Sequence, residues 1–270
     1  MRNTGGLLRT LRTLRARATP ALPAPGAPGA PEAPEAPEAP RTLGALVLAA
    51  LLLAAAPAMA GSGPPDLTGV WSIVGHTSTL KTIEGSLPPL NAAARTLYEQ
   101  HLAAAARGDR SFDGVTRCLP PGLPRLMLMN EPFEILQRQR VIYFVHQLNR
   151  LPRRAYLGEQ LPEDPDPLYL GFSVAHWQGD VLVIESSGFR EGTLLDDAGL
   201  PHSDALHLTE RYQLGKDGRT LHARFKIEDP KTYTHSWNAQ AEYVRRPGYE
   251  IPEEVCADQL ASKLRQNGKD

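Results

Sequence analysis

In GLPHSDALHLTERYQL (199–214) the side chains alternate from Ala205 onward, with Leu206, Leu208, Tyr212 and Leu214 on one face. Glu210 falls on that same face, a carboxylate among leucines. An ionised carboxyl in an apolar interior is costly unless it is paired or hydrogen-bonded, and desolvation otherwise raises its pKa. Glu210 therefore either fixes the fold through a tyrosine, an arginine or backbone donors, or serves as an acid/base group lining a cavity. Alternation over 233–243 puts His235 on a face with Tyr233, Trp237, Ala239, Ala241 and Tyr243, which makes it a second interior candidate. Glu185 is a third, with neither face of its hairpin favoured, and His207 a fourth if the loop 192–204 folds over it as a lid or rim. Together they form a candidate acid/base set of Glu210, His235, Glu185 and His207, suited to hydrolysis, elimination or isomerisation without an organic cofactor.

A metal site is a competing use of some of the same residues. His202, Asp204 and His207 offer imidazole and carboxylate ligands close in sequence, with His222 on the neighbouring strand, but their spacing matches no named zinc pattern. There is no nucleotide-binding glycine loop and no Gly-x-Ser-x-Gly elbow; Ser173 in LGFSVAHW lacks that context.

These residues need strands to hold them. From Phe133 onward the period is two: FEILQRQ, VIYFVHQ, RRAYLGE, LYLGFSVAHW, DVLVIESSGF, ALHLTERYQL, TLHARFKI and YTHSWNAQAEYV all read as strands. Turns fall at Gln178-Gly179, at GKDG (215–218) and at EDPK (228–231). A turn at Gln178-Gly179 pairs Phe172 with Glu185 and Val174 with Val183. With GVWSIVGHT ahead of them, about nine strands follow one another without an intervening helix, so neighbours should pair antiparallel. The expected fold is all-β, a meandering antiparallel barrel or strongly curled sheet, with a sandwich as the alternative. One helix precedes the strand series, at about 92–107, capped by Asn91 and stopped by Gly108, with Leu97, Tyr98, Leu102 and Ala105 as its apolar stripe. A barrel of this kind would hold a small hydrophobic or aromatic molecule against Trp71, Tyr143, Phe172, Tyr212 and Trp237.

The ends of the chain set its compartment. LGALVLAALLLAAAPAMA (43–60), preceded by arginines and ending Ala58-Met59-Ala60, has the layout of a secretory signal cleaved after Ala60. It is too short and alanine-rich for a membrane span, although an uncleaved anchor is the rival reading. The Pro/Ala tract LPAPGAPGAPEAPEAPEAP (22–40) has little to bury. Of 29 basic and 30 acidic residues, six and three lie in 1–60, which leaves 23 against 27 and a formal charge of −4. That balance, with no basic cluster, argues against nucleic acid as a partner. The expected mature chain, 61–270, suffices for one domain, and in a periplasmic or secreted setting its two cysteines, Cys118 and Cys256, are expected to pair.

GFSVAHWQGDVLVIESSGF, then DDAGLPHSDALHLTERY, then IEDPKTYTHSW resemble a large family of exported bacterial proteins that share W-x-G-D-x-L-V, H-S-[DE]-A-L-H-x-x-E-R and D-P-x-x-Y-x-x-x-W. The resemblance extends to CLPPGLPR and the terminal VCAD and covers nearly all of 61–270. It brings no activity with it. It implies weight on Trp177, Gly179, Asp180, His202, Ser203, His207, Glu210, Arg211, Asp229, Tyr233 and Trp237. Phe172 departs from the pattern, where relatives often carry His or Tyr, and so does His235-Ser236, where a basic residue and proline are common. Gly69-Val70-Trp71 resembles the lipocalin first strand. Three readings stand: an acid/base hydrolase, lyase or isomerase; a carrier that binds the same ligand unchanged; and an envelope protein with a filled core.

Overall fold

The period-two segments become nine strands in a computed structural model, which describes residues 63–259 and 261. The leader, its signal-like run and the expected cleavage site lie outside the described residues. The strands are β1 (Gly69–Ile73), β2 (Phe133–Gln137), β3 (Val141–His146), β4 (Pro152–Leu157), β5 (Phe172–Gln178), β6 (Val181–Ser187), β7 (His207–Leu214), β8 (Thr220–Glu228) and β9 (Trp237–Arg245). They form a closed barrel in chain order, with β9 hydrogen-bonded to β1, so no sheet edge is left to protect. The all-β fold class is as expected.

Two features differ from the sequence-based expectation. The pairing is antiparallel everywhere except between β4 and β5, which run parallel because the 158–171 connection crosses back before β5 begins. That junction is also the shortest ladder, with only Tyr156↔Val174 and Leu157↔Ala175 in register, whereas β7 and β8 are paired from His207↔Glu228 to Leu214↔Leu221. The second difference is the β5–β6 turn, which is Gly179-Asp180 rather than Gln178-Gly179: Gln178 pairs with Val181, and Gly179 takes the left-handed φ of 64°. The one-residue slip pairs Phe172 with Ser187 and Val174 with Glu185. Either turn leaves Ser173, Ala175, Leu182, Ile184 and Ser186 on one face and Glu185 on the other; the first face is the buried one.

The barrel is filled with rings. Trp71, Phe133, Phe144, Tyr212, Phe225 and Tyr243 are all essentially inaccessible, and burying each contributes roughly 1.5–3 kcal/mol. Trp71 donates its indole N–H to the Leu67 carbonyl at 2.9 Å, and the Arg245 guanidinium lies 4.5 Å from its ring centre. α1 (Ala92–Ala106) starts where Asn91 accepts the Ala94 N–H. Its buried contacts are Ala94 and Tyr98; Leu97 and Leu102 of the expected stripe stay exposed, because the helix presents only a narrow strip to the barrel. A short helix, α2 (Arg125–Leu128), follows, and Cys118 is bonded to Cys256. That crosslink spans 138 residues and is worth roughly 4–5 kcal/mol on the chain-entropy view. Among the described residues, no helix is long and apolar enough to cross a membrane.

Candidate functional site

Glu210 does point inward, and it is occupied. Opposite it, β4 presents Arg153 on the face shared with Ala155, so a cation and a carboxylate meet inside the barrel. Arg153 Nη1 donates to Glu210 Oε1 at 3.0 Å and Nη2 donates to Oε2, while the Tyr212 hydroxyl donates to Oε1 at 2.7 Å. Arg153 Nη2 also reaches the hydroxyls of Ser186 at 3.1 Å and Ser173 at 3.3 Å, which are 2.8 Å apart across the β5–β6 ladder. Burial disfavours the guanidinium charge, but the facing carboxylate reverses this and raises the Arg153 pKa. Burial, and then the Glu210 charge, holds the Tyr212 hydroxyl well above its ordinary value. Burial and the nearby Arg153 charge push His146 down to about 3, so its ring is neutral. The Arg153 Nε–H is itself buried and has no partner among the described residues.

The short β4–β5 junction leaves a recess of about 300 Å³ in the barrel wall. Its sides include Tyr156, Leu170 and Phe172, and it is also lined by Arg153 and Ser173. The Tyr156 and Phe172 rings stack 5.4 Å apart. A second recess, of about 360 Å³, opens where β1 ends and β9 continues, between Ile73, Leu80, Leu128 and Ala241. Its buried polar groups are committed: Asp196 accepts the Leu80 and Leu200 N–H groups, and Arg125 is held by Asp113 and Asp197.

The remaining candidates are scattered. Trp71, Tyr212 and Trp237 are in the core, Tyr143 is on the outer face of β3, and Phe172 walls the β4–β5 recess. His235 is exposed, contrary to expectation. β9 begins only at Trp237, and the preceding turn, in which Tyr233 N–H bonds the Asp229 carbonyl, breaks the alternation that placed His235 inside. Glu185 and Glu228 flank His207 on the outside of the barrel, each 3.8 Å away. The loop 192–204 does not cover His207; it doubles back on itself through a Leu194–Pro201 bridge and packs beside α1, where His101 Nδ1 bonds the Gly199 carbonyl.

His202, Asp204 and His207 do not converge. His202 Nδ1 faces the Ser203 carbonyl at 2.8 Å and Nε2 faces the Thr193 hydroxyl at 2.6 Å, Asp204 pairs with Lys231, and His222 sits by Glu242. Among the described residues, no group of three or more His, Cys, Asp or Glu could hold a metal ion. Sequence reasoning missed Arg153, Ser186 and Thr193. Arg153 was within reach, since PRRAYL puts it on one face with Ala155 and Leu157.

No family model matches the chain, and no curated protein matches it. Among solved structures, human cRBP IV is similar at 16% identity and a TM-score of 0.33, over 68% of this chain and 100% of that chain.

Proposed function

We propose that this is an exported binding protein whose β4–β5 recess takes a small, largely apolar ligand carrying a neutral hydrogen-bond acceptor. The observation behind this reading is the pairing of a recess with stacked aromatic walls and an arginine on its lining whose Nε–H is buried and unused. A buried donor without a partner costs about 1–3 kcal/mol, so a ligand oxygen that satisfies it gains what the empty protein forgoes. A carbonyl suits this better than a carboxylate. The Arg153 charge is already balanced by Glu210, and a second anion beside that pair would be repelled. Both oxygens of Glu210 are bonded within the barrel, which favours binding over proton transfer by that residue. The disulfide supports an oxidising compartment, in line with the signal-like leader.

The test is calorimetric titration of the 61–270 chain with a matched series: an aryl ketone, the corresponding aryl carboxylate and the corresponding alkylarene. The ketone should bind about tenfold more tightly than the other two, the value of one hydrogen bond of roughly 1.4 kcal/mol. Phe172→Ala should weaken it by about tenfold. Equal affinity across the series, or an unchanged affinity in Phe172→Ala, overturns the reading.

A further inference from the structure

The loop between β6 and β7 aligns two groups that binding in the β4–β5 recess does not use. The Leu194–Pro201 bridge and the Leu195 N–H to Leu200 carbonyl bond close a tight turn, which sets Thr193 opposite His202. Asp196 stiffens the turn by accepting the Leu200 N–H. Both residues that flank His202 are fixed from outside the loop. The Tyr233 hydroxyl donates to the Pro201 carbonyl at 2.8 Å, and Asp229 accepts the Ser203 N–H and hydroxyl, each at 2.7 Å. These anchors come from the IEDPKTY segment (227–233), so it and the PHSDALH segment (201–207) meet around one imidazole.

The proton positions follow from the partners. The Ser203 carbonyl can only accept, so Nδ1 of His202 carries the hydrogen. Burial lowers the His202 pKa, which keeps the ring neutral and leaves Nε2 a bare acceptor. The Thr193 hydroxyl has two acceptors in reach, Nε2 at 2.6 Å and the Arg190 carbonyl at 3.2 Å, and its proton goes to the nearer, Nε2. A hydroxyl bonded to a base that a third group orients is the arrangement of an activated nucleophile. Thr193, itself 6% exposed, lines a recess of about 190 Å³ with Arg117, Arg190 and Glu191; this recess adjoins the β4–β5 recess at Pro120 and Tyr169. Gly122 presses its backbone against Thr193; a Cβ there would stand 2.7 Å from the Thr193 Cβ.

We infer that Thr193 and His202 are a nucleophile–base pair that hydrolyses small esters bearing a carboxylate on the acyl part. In the first half-reaction, Thr193 Oγ1 bonds to the ester carbonyl carbon and its proton passes to His202 Nε2. The bond to the leaving alcohol breaks, and that oxygen takes the proton from Nε2. Water then attacks the acyl-threonine, gives a proton to Nε2 and releases the acid, and Thr193 recovers its hydrogen from the imidazole. Arg190 and Arg117 supply the positive charge that favours a carboxylate-bearing acyl group.

A fluorophosphonate probe reads the first step directly: an Oγ–P bond forms, the P–F bond breaks, and the hydroxyl proton leaves through His202 as fluoride departs. Intact-mass and peptide mapping of the folded 61–270 chain should place one adduct on Thr193. Thr193→Val, which keeps the shape and removes the hydroxyl, should give none, and Thr193→Ser should retain labelling. His202→Gln should slow labelling by about 100-fold or more, the usual worth of a positioned base. An adduct elsewhere, no adduct on folded wild-type protein, or His202→Gln labelling within threefold of wild type overturns the inference. For the substrate class, aryl hydrogen succinate should be cleaved faster than aryl acetate, and Arg190→Gln should erase that preference. Equal rates in wild type, or a preference that survives in the variant, overturns the assignment of carboxylate-bearing esters.

Discussion

Arg125 and Arg153 are both buried arginines that meet a carboxylate, yet their forks are filled differently. Arg125 gives Nη1 and Nη2 to the two oxygens of Asp113 and its Nε to Asp197, all at 2.8 Å. Every side of the guanidinium is satisfied, and the cation clamps the 110–125 segment to the 196–197 turn. Arg153 gives Nη1 and Nη2 to Glu210 and leaves its Nε buried and, among the described residues, without a partner. A fully used fork is the mark of a structural clamp. A fork with one free donor, on a side chain that lines a recess, has capacity left for a ligand.

The largest effect should come from breaking the deeper pair. Glu210→Ala leaves the Arg153 charge inside the barrel without its counter-ion, and should cost about 3–5 kcal/mol. Urea unfolding measures it as a fall in midpoint with the slope unchanged. Replacing both partners, Arg153→Met with Glu210→Leu, should recover most of that loss, because two apolar side chains leave nothing unpaired. If the single variant is as stable as wild type, the pair is not what holds this part of the barrel.

The Arg125 clamp should give a smaller, pH-dependent signature. Burial alone would raise the Asp113 pKa, but the hydrogen bonds and charge of Arg125 outweigh it and hold the carboxyl down to about 2, from an ordinary 3.8. The folded value is below the unfolded one, so this stabilisation is fully present above about pH 4. It is lost as the pH falls through 2. The difference corresponds to about 2 kcal/mol. Urea stabilities at about pH 5 and pH 2 should therefore fall more steeply in wild type than in Asp113→Asn, by roughly that amount. Parallel losses in the two proteins would remove Asp113 from the account.

The contrast between the arginines also marks where sequence reasoning reaches its limit. Strand existence and the inward face of β7 and β8 were legible, because Leu206 to Leu214 and Leu221 to Ile227 alternate without interruption and pair in one long register. So were the Asn91 cap and the Cys118–Cys256 bond. The β5–β6 face was not, since both of its faces are apolar and either turn groups the same residues; which face turns inward is decided by barrel closure. His235 was misplaced because alternation was carried through a turn that interrupts it. Glu210 was recognised as an anomaly, but its partner lies on β4, 57 residues earlier. No local pattern encodes a pairing between β4 and β7, strands that never touch in the ladder; it comes from barrel closure, which brings their inner faces together. The Thr193–His202 contact is hidden for a related reason: it depends on the register of a bridge within a loop, 192–204, whose sequence has no strand or helix period.

The smallest predicted effect tests whether the free edge of Arg153 is special or whether the whole network is loosely held. Ser186 receives a hydrogen bond from Arg153 Nη2 and shares one with Ser173. Ser186→Ala removes both while leaving the Glu210 pairing and the bare Nε untouched. Losing a buried hydroxyl whose partners keep other bonds should cost about 1 kcal/mol. Because Nη2 still bonds Glu210 and Ser173, ketone affinity in the recess should stay within twofold of wild type. A Ser186→Ala variant that loses binding along with stability would mean that the hydroxyls, rather than the Nε–H, meet the ligand. The acceptor would then belong deeper in the barrel, at the β5–β6 ladder, and the difference between the two arginines would carry no functional meaning.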